Sequence, residues 1–382
     1  MISQVKVVDN STVQLILSRP YSALFYNFAS PDFMMISPAA VAQYGTEGLA
    51  THEDGTGPFT FVSWTKGDNL VVRRNPRYWK PGQPYVDQIV FRDVPDATQR
   101  IAMLKTREAQ FVFPIDPSSI QAVSGDPSIK LIKGPSILIN YIGMNHLHPP
   151  FNNKNVRLAL NYAINKQVLI QTLYRGYALE MHSYISPLLP GYKDVGTYPY
   201  DPAKARMLLQ QAGFPQGFTA TLSISTVTLQ QQIAVFLQQQ FAQVGVTLKI
   251  DSMDGGSLFA LEHKPPDQNP VQMHFGVYAP ANGSTYWQFY VTLYKASWPP
   301  NGLSNFSFYD NPAMEQALNA GLATENLQQR DADFGQAQQL VFDDAATLWL
   351  ASPTNIAGQS PNLTDVYVVP DQTLTVQGAR LH

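Results

Sequence analysis

"TLQQQIAVFLQQQFAQVGVTLKI", residues 228–250, changes its period partway along. Leu229, Ile233, Phe236, Leu237, Phe241 and Val244 recur at the three- and four-residue spacing of a helix with one buried stripe. The glutamines at 230–232 and 238–240 fall on its polar side. Gly245 then turns the chain, and residues 246–250 read as a strand. A helix that returns through a short glycine turn into a strand is half of a layered domain. This stretch therefore predicts the α/β class.

The same grammar extends upstream. "NVRLALNYAINKQVLIQTLYRG", 155–176, carries a stripe of Val156, Leu160, Ala163, Ile164, Val168 and Leu169 and stops at Gly176. "YDPAKARMLLQQAGF", 200–214, has Asp201 as N-cap, Pro202 at the first helical position and Gly213 past the end. Residues 55–145 read mainly as strands (59–64, 70–74, 88–94, 110–115, 137–144), with one helix over 96–105. Downstream, 253–309 reads as loop-rich and aromatic. Two helices follow, one opened by Asn311-Pro312 and one over 328–345, then a strand in "TLWLASPTNIA" and an irregular tail. The start, "MISQVKVVDNSTVQLILSRPYS", lacks a basic segment followed by an apolar one, so it does not read as a signal peptide. It reads as two strands, 5–8 and 12–17, about a turn at Asp9-Asn10, and the chain is expected to begin inside a fold.

Composition narrows the function. The 382 residues correspond to two or three domains at roughly 150 residues each. With 14% charged residues and a net charge of -3, there is no basic field for nucleic acid. The absence of cysteine removes disulfides, thiolate metal sites and a cysteine nucleophile. "GTG" at 55–57 opens a strand, and Thr60 stands where a dinucleotide fingerprint needs its third glycine, so a turn with positive φ before Pro58 is expected. His146 and His148 form a His-x-His pair without a third ligand nearby. Asp331/Asp333 and Asp343/Asp344 are too close in sequence to share a helix face as an acid–base couple. No nucleophile–base–orienter set can be assembled, and neither catalysis, a metal nor a cofactor is expected.

Four stretches in order carry a family resemblance: "GTGPFTFVSWTKGDNLVVRRNPRYW", "YVDQIVFRDVPDATQRIAMLKTREAQ", "NYIGMNHLHPPFNNKNVRLALNYAINKQVLI" and "YPYDPAKARMLLQQAGF". Together they resemble the peptide/nickel-type (family 5) extracellular solute-binding proteins of ABC importers. The resemblance implies a two-lobed periplasmic-binding-protein-like α/β fold of type II. Mixed sheets are flanked by helices, a third domain is appended, and a cleft lies between the lobes. On this reading 1–54 is a remnant of the appended domain, 55–145 the first lobe, 146–355 the second lobe, and 356–382 a return to the first. The family's upstream part is missing, so the chain is read as N-terminally truncated. The 55–80 stretch becomes scaffold.

The function implied is capture of a small solute, peptide or oligosaccharide-like, and its delivery to a membrane permease. The expected setting is the periplasm or the outer face of the cytoplasmic membrane, with the protein a monomer that binds no nucleic acid. Peptide-binding members carry an Asp in the aromatic loop of the second lobe, where this chain has Ala279, Pro280, Ala281 and Asn282. The "TREAQFVFPID" turn also departs from the family pattern. The expected ligand surface is Tyr141, Asn145, His274, Tyr278, Asn282, Tyr286 and Trp287, stacking faces with two amides and an imidazole, and the hinge is expected at 141–146. An uncharged or polyhydroxylated solute, or a peptide held through its backbone, fits such a surface. Two rivals are the sensing domain of a transcription regulator and, more distantly, a carbohydrate-active hydrolase, which requires two carboxylates across one cleft.

Overall fold

The computed structural model describes residues 2–382 except 53 and 302, with the backbone alone at 32. Contacts divide it into two compact units: residues up to Ser30 with Ile137–Pro353, and Pro31–Ser136 with Thr354–His382.

The chain opens with an antiparallel hairpin of β1 (Ile2–Asp9) and β2 (Thr12–Leu17). At its turn the Asp9 carboxylate accepts from the Ser11 N–H at 2.8 Å and the Ser11 hydroxyl at 3.0 Å. The short helix α1 (Leu24–Phe28) ends the first segment of the larger unit.

In the smaller unit, α2 (Pro38–Gly48) begins with Ser37 as N-cap and Pro38 at the first position. β3 (Phe59–Thr65), β4 (Asn69–Arg74) and β5 (Gln88–Arg92) form a consecutive antiparallel sheet. Gly55 and Gly57 do not take the expected positive φ. Instead, Asn75 holds this entry by donating from its amide to the Gly57 carbonyl at 2.9 Å. α3 (Ala97–Lys105) is capped by the Asp96 carboxylate on the Gln99 N–H at 2.7 Å. β6 (Phe111–Val112), α4 (Ile120–Val123) and β7 (Lys130–Gly134) complete this passage.

The larger unit is built on one six-stranded sheet, order β11-β10-β12-β8-β13-β9. Its elements are β8 (Ile139–Met144), α5 (Lys154–Tyr162), α6 (Lys166–Thr172), β9 (Ala178–Leu179), α7 (Pro202–Gln211), β10 (Thr219–Ser225), α8 (Thr228–Ala242), β11 (Thr247–Met253), α9 (Gly255–Glu262), β12 (Met273–Tyr278), α10 (Thr285–Leu293), α11 (Pro312–Leu322), α12 (Leu327–Asp343) and β13 (Thr347–Pro353). β10 runs parallel to β11 and β12, whereas β8 is antiparallel to β12 and β13. Ile142, Met144, Leu222, Ile224, Met273, Phe275 and Leu348 join a core with α5, α6, α7 and α8. Residues of opposite strand parity, Ile139, Tyr141 and Trp349, join a second core with α10, α11 and α12. The sheet is thus buried on both faces, and every residue of β8 and all but the last of β13 are buried.

Three expectations change in the larger unit. The single helix read over 155–176 is two, because Asn165 caps a new start by accepting from the Val168 N–H at 3.1 Å, and Val168 is exposed. The loop-rich 253–309 region contains α9 and α10. The first opens on two glycines, and the second is buried nearly all round, so neither shows a one-sided period. The stretch 141–146 is no hinge: 139–144 is an interior strand paired on both sides, and the crossings fall at 30/31, 136/137 and 353/354.

The α12–β13 junction is held by one buried cation. Arg157 on α5 donates to the Asp344 carbonyl at 2.8 Å, the Ala345 carbonyl at 3.3 Å and the Phe151 carbonyl at 2.8 Å. Ala345 sits at a left-handed φ of 47°. Tyr309 and Asn311 donate to the Asp344 carboxylate at 2.8 and 2.7 Å. His146 places Nε2 2.9 Å from the Ala346 carbonyl, and burial pulls its ring down to about 3. That imidazole and the Asp344 carboxylate are therefore committed to structure.

The chain ends in the smaller unit. β14 (Asn355–Gln359) lies between β6 and β7, with Leu131 opposite Gly358. The tail, expected to be irregular, forms short ladders: β15 (Leu363–Thr364) with β18 (Arg380–Leu381), and β16 (Tyr367–Val368) with β17 (Leu374–Thr375).

Replacing Arg157 by Ala strands the buried carbonyls of Phe151 and Ala345 and the half-buried one of Asp344. The substitution is expected to cost about 3 kcal/mol, read as a fall in the urea midpoint of unfolding.

Candidate functional site

On the second-core face of the larger sheet, two side chains are laid across two glycines. In the antiparallel register of β8 and β12, Tyr141 stands opposite Gly276 and Gly143 opposite His274. A methyl group on Gly143 would sit 2.0 Å from Cε1 of His274, and one on Gly276 would sit 2.2 Å from Cζ of Tyr141. Tyr-Ile-Gly on one strand and His-Phe-Gly on the next thus interlock, each ring filling the space its partner strand leaves open. The row continues outward as Ser223 on β10 opposite His274, and as Thr347 on β13 opposite Gly143. All are buried, and the Thr347 hydroxyl has no hydrogen-bond partner among the described residues.

The electrostatics of this face are those of uncompensated burial. Neither ring nitrogen of His274 finds a hydrogen-bond partner among the described residues, and burial pulls its imidazole down to about 4. Its ring meets Tyr141 edge-on at 6.1 Å and Phe306 at 5.6 Å. Burial pushes the Tyr141 hydroxyl up to about 12, a hydrogen bond with Tyr184 works against that, and the charge of Glu262 adds to it. Tyr184 packs edge-on against Tyr141 at 5.4 Å and donates to Thr292 at 3.0 Å. Glu262, the last residue of α9, is 7% exposed, and burial pushes its carboxyl up to about 8.

The remaining expected residues fall elsewhere in the same unit. On α10, Trp287 and Tyr286 each stack on Tyr290 with centroids 5.5 Å apart, and Tyr294 closes the cluster 5.1 Å from Tyr290. Tyr286 is buried and Trp287 half-buried. Asn282 accepts from the Ser284 N–H at 3.0 Å and donates to the Asn27 side chain at 2.9 Å, so both ends of its amide are engaged. Tyr278, half-buried at the end of β12, lies near enough to raise the Tyr184 hydroxyl. Asn145 accepts from the Leu147 N–H and donates to the Val271 carbonyl, both at 3.0 Å, stapling the end of β8.

The structure therefore joins Tyr141 to His274, groups Asn282, Tyr286 and Trp287 around the start of α10, and gives Asn145 a turn-holding part. Sequence reasoning missed Glu262, Tyr184 and the two glycines. The paired Tyr-x-Gly and His-x-Gly strands were the available signal. Among the described residues, no three His, Asp or Glu side chains gather in a way that could hold a metal ion.

Comparison with known proteins gives one picture. Residues 1–300 match the model of bacterial extracellular solute-binding proteins, family 5 Middle. The chain is 38% identical over 383 residues to the glutathione-binding protein GsiB of Pectobacterium atrosepticum, covering all of this chain and 74% of that protein. It is 35% identical to the GsiB of Salmonella typhimurium at the same coverage. Among solved structures, the ABC transporter-associated periplasmic binding protein DppA of Helicobacter pylori, in complex with the peptide STSA, superposes with a TM-score of 0.87 at 27% identity. That match covers 95% of this chain and 71% of DppA. The dipeptide-binding protein of Pseudoalteromonas, with Met-Leu, shares the fold with a TM-score of 0.89 at 21% identity, covering 100% of this chain and 76% of that one.

Two outcomes test the interlocked strands. Gly143→Ala is expected to cost about 2 kcal/mol by overpacking against the His274 ring, and His274→Ala in the same chain should recover part of that loss in a double-mutant cycle. His274 is held below its ordinary 6.5, so the unfolded chain binds its proton more readily. Stability should therefore fall as pH drops from about 6.5 to about 4, and His274→Asn should reduce that slope in unfolding titrations, leaving the share due to His146.

Proposed function

The chain belongs to the bacterial extracellular solute-binding proteins of family 5, which serve ABC importers, and from that premise we propose that its solute is a short peptide of the glutathione kind. The observation that carries this reading is the identity to a glutathione-binding protein along the full length of the chain. The family captures solutes and is not one of enzymes, and the present chain is read as a binder that hands its solute to a permease outside the cytoplasmic membrane. No helix among the described residues is long and apolar enough to cross a membrane. The two compact units are proposed as the two lobes, with the protein acting as a monomer.

The chemistry of the larger unit supports a peptide over a strongly charged ion. The Tyr286–Trp287–Tyr290 stack offers apolar faces for side chains and peptide planes. The buried polar atoms of the β8–β12 face are few and uncharged at neutral pH, which suits a ligand oriented by hydrogen bonds. We assign ligand contact from this unit to Tyr141, His274, Tyr278, Tyr286 and Trp287, with Asn145 and Asn282 shaping the surface behind them.

Isothermal calorimetry with reduced glutathione, other tripeptides, dipeptides and oligosaccharides tests the assignment. Heat with peptides and none with oligosaccharides is expected; heat with oligosaccharides alone overturns it. Trp287→Ala should weaken peptide binding by about 1 kcal/mol or more if the indole stacks on the ligand. Unchanged affinity returns Trp287 to packing.

A further inference from the structure

A cavity of about 510 Å³ opens in the smaller unit, lined by none of the residues assigned to the solute. Two runs of consecutive residues border it, 88–92 along β5 and 108–113 through β6. Successive residues of a pleated strand face opposite ways, so a wall built of every residue in turn is a main-chain edge and not a face. The sheet orders agree. β5 is the outer strand of β3-β4-β5 and β6 the outer strand of β6-β14-β7, each paired on one side only. The rest of the wall includes Leu363, Val366, Leu374, Val376 and Ala379, a satellite core in which Leu374 and Val376 are only partly covered. Val90, in the β5 edge, stays 48% exposed. Charges at the wall are spent: Arg92 pairs with Glu108, while Arg100 lies 3.6 Å from Asp116 and donates to the Val94 carbonyl at 2.9 Å.

We propose that an extended strand docks in this cavity, pairs with the open edges of β5 and β6, and joins the two three-stranded sheets into one. A small apolar molecule would cover the side chains and leave both rows of N–H and C=O groups unpaired. A strand satisfies those groups as it covers. Every second residue of the strand points at Leu374, Val376 and their neighbours, so those positions are apolar. The occupant comes from the part of the family's chain that has no counterpart in residues 1–382. The match covers 74% of GsiB and 71% of DppA, which leaves about a quarter of each outside it. That length is ample for a strand matching the five residues of β5. The docking concerns the smaller unit alone and stands whatever the solute.

The probe is the part of the Pectobacterium atrosepticum GsiB outside the match, made as a separate polypeptide and mixed with the full 382-residue chain. A one-to-one complex by native mass spectrometry is expected, and hydrogen exchange at 88–92 and 111–112 should slow at least about ten-fold on mixing. Val376→Trp, on neither edge strand, fills the cavity; it should keep the parent's circular dichroism and weaken the complex at least about ten-fold. If that variant fails to fold, the exchange map of the parent decides alone. No complex, or protection that misses either edge, overturns the proposal, and so does equal binding by folded Val376→Trp. Edges already protected in the chain alone and exposed on dilution make a second copy the occupant, which overturns it too.

Discussion

One buried guanidinium fixes the geometry of the larger unit. The Arg157 side chain reaches from α5 to the carbonyls just past the end of α12, so free carbonyls of that helix terminus are satisfied by a cation. That contact sets the point at which the chain turns, through a strained Ala345, into β13. β13 is the strand against which β8 pairs, and β8 carries Tyr141 and Gly143. The placement of the ring pair on the sheet therefore depends on a residue that touches neither ring.

The two faces of this sheet divide the labour. Toward α5, α7 and α8 the strands present Leu, Ile, Met and Phe, a core held by area alone. Toward α10 to α12 they present tyrosines, a histidine, a threonine and two glycines, with polar atoms that the fold does not satisfy. A face of the second kind costs stability and is tolerated where function requires it. We propose that this is the face that meets the solute, since recognition uses polar groups that the fold itself leaves unpaired.

The sequence made the architecture legible where each element carried its own start and stop. The helix at 228–242, its glycine turn and its strand were readable from period alone, and so was the Asp201-Pro202 entry to α7. Reading failed where burial was symmetrical or starts were unconventional: α10 is hidden on nearly every side, α9 begins with two glycines, and the break at Asn165 interrupts an otherwise continuous stripe. The geometry of the candidate site was half legible. Tyr141 and His274 stood out as rings in strands, but the space for them is created by absent side chains across the ladder, which only the register exposes. Glu262 gave no signal, since one acid in a short helix looks like a solvated end until its burial is known.

Both units are closed by strands that arrive late. β8 takes β13 as its neighbour across some two hundred residues, with Asn140 opposite Ala351, and β7 waits for β14, with Leu131 opposite Gly358. At roughly 5 to 20 residues per second, a nascent chain holds these edges open for about ten to forty seconds on the ribosome. Neither sheet can finish locally, so β13 and β14 act as a clasp for the strands made before them. Loss of β13 and β14 would leave two unfinished sheets, not a trimmed tail.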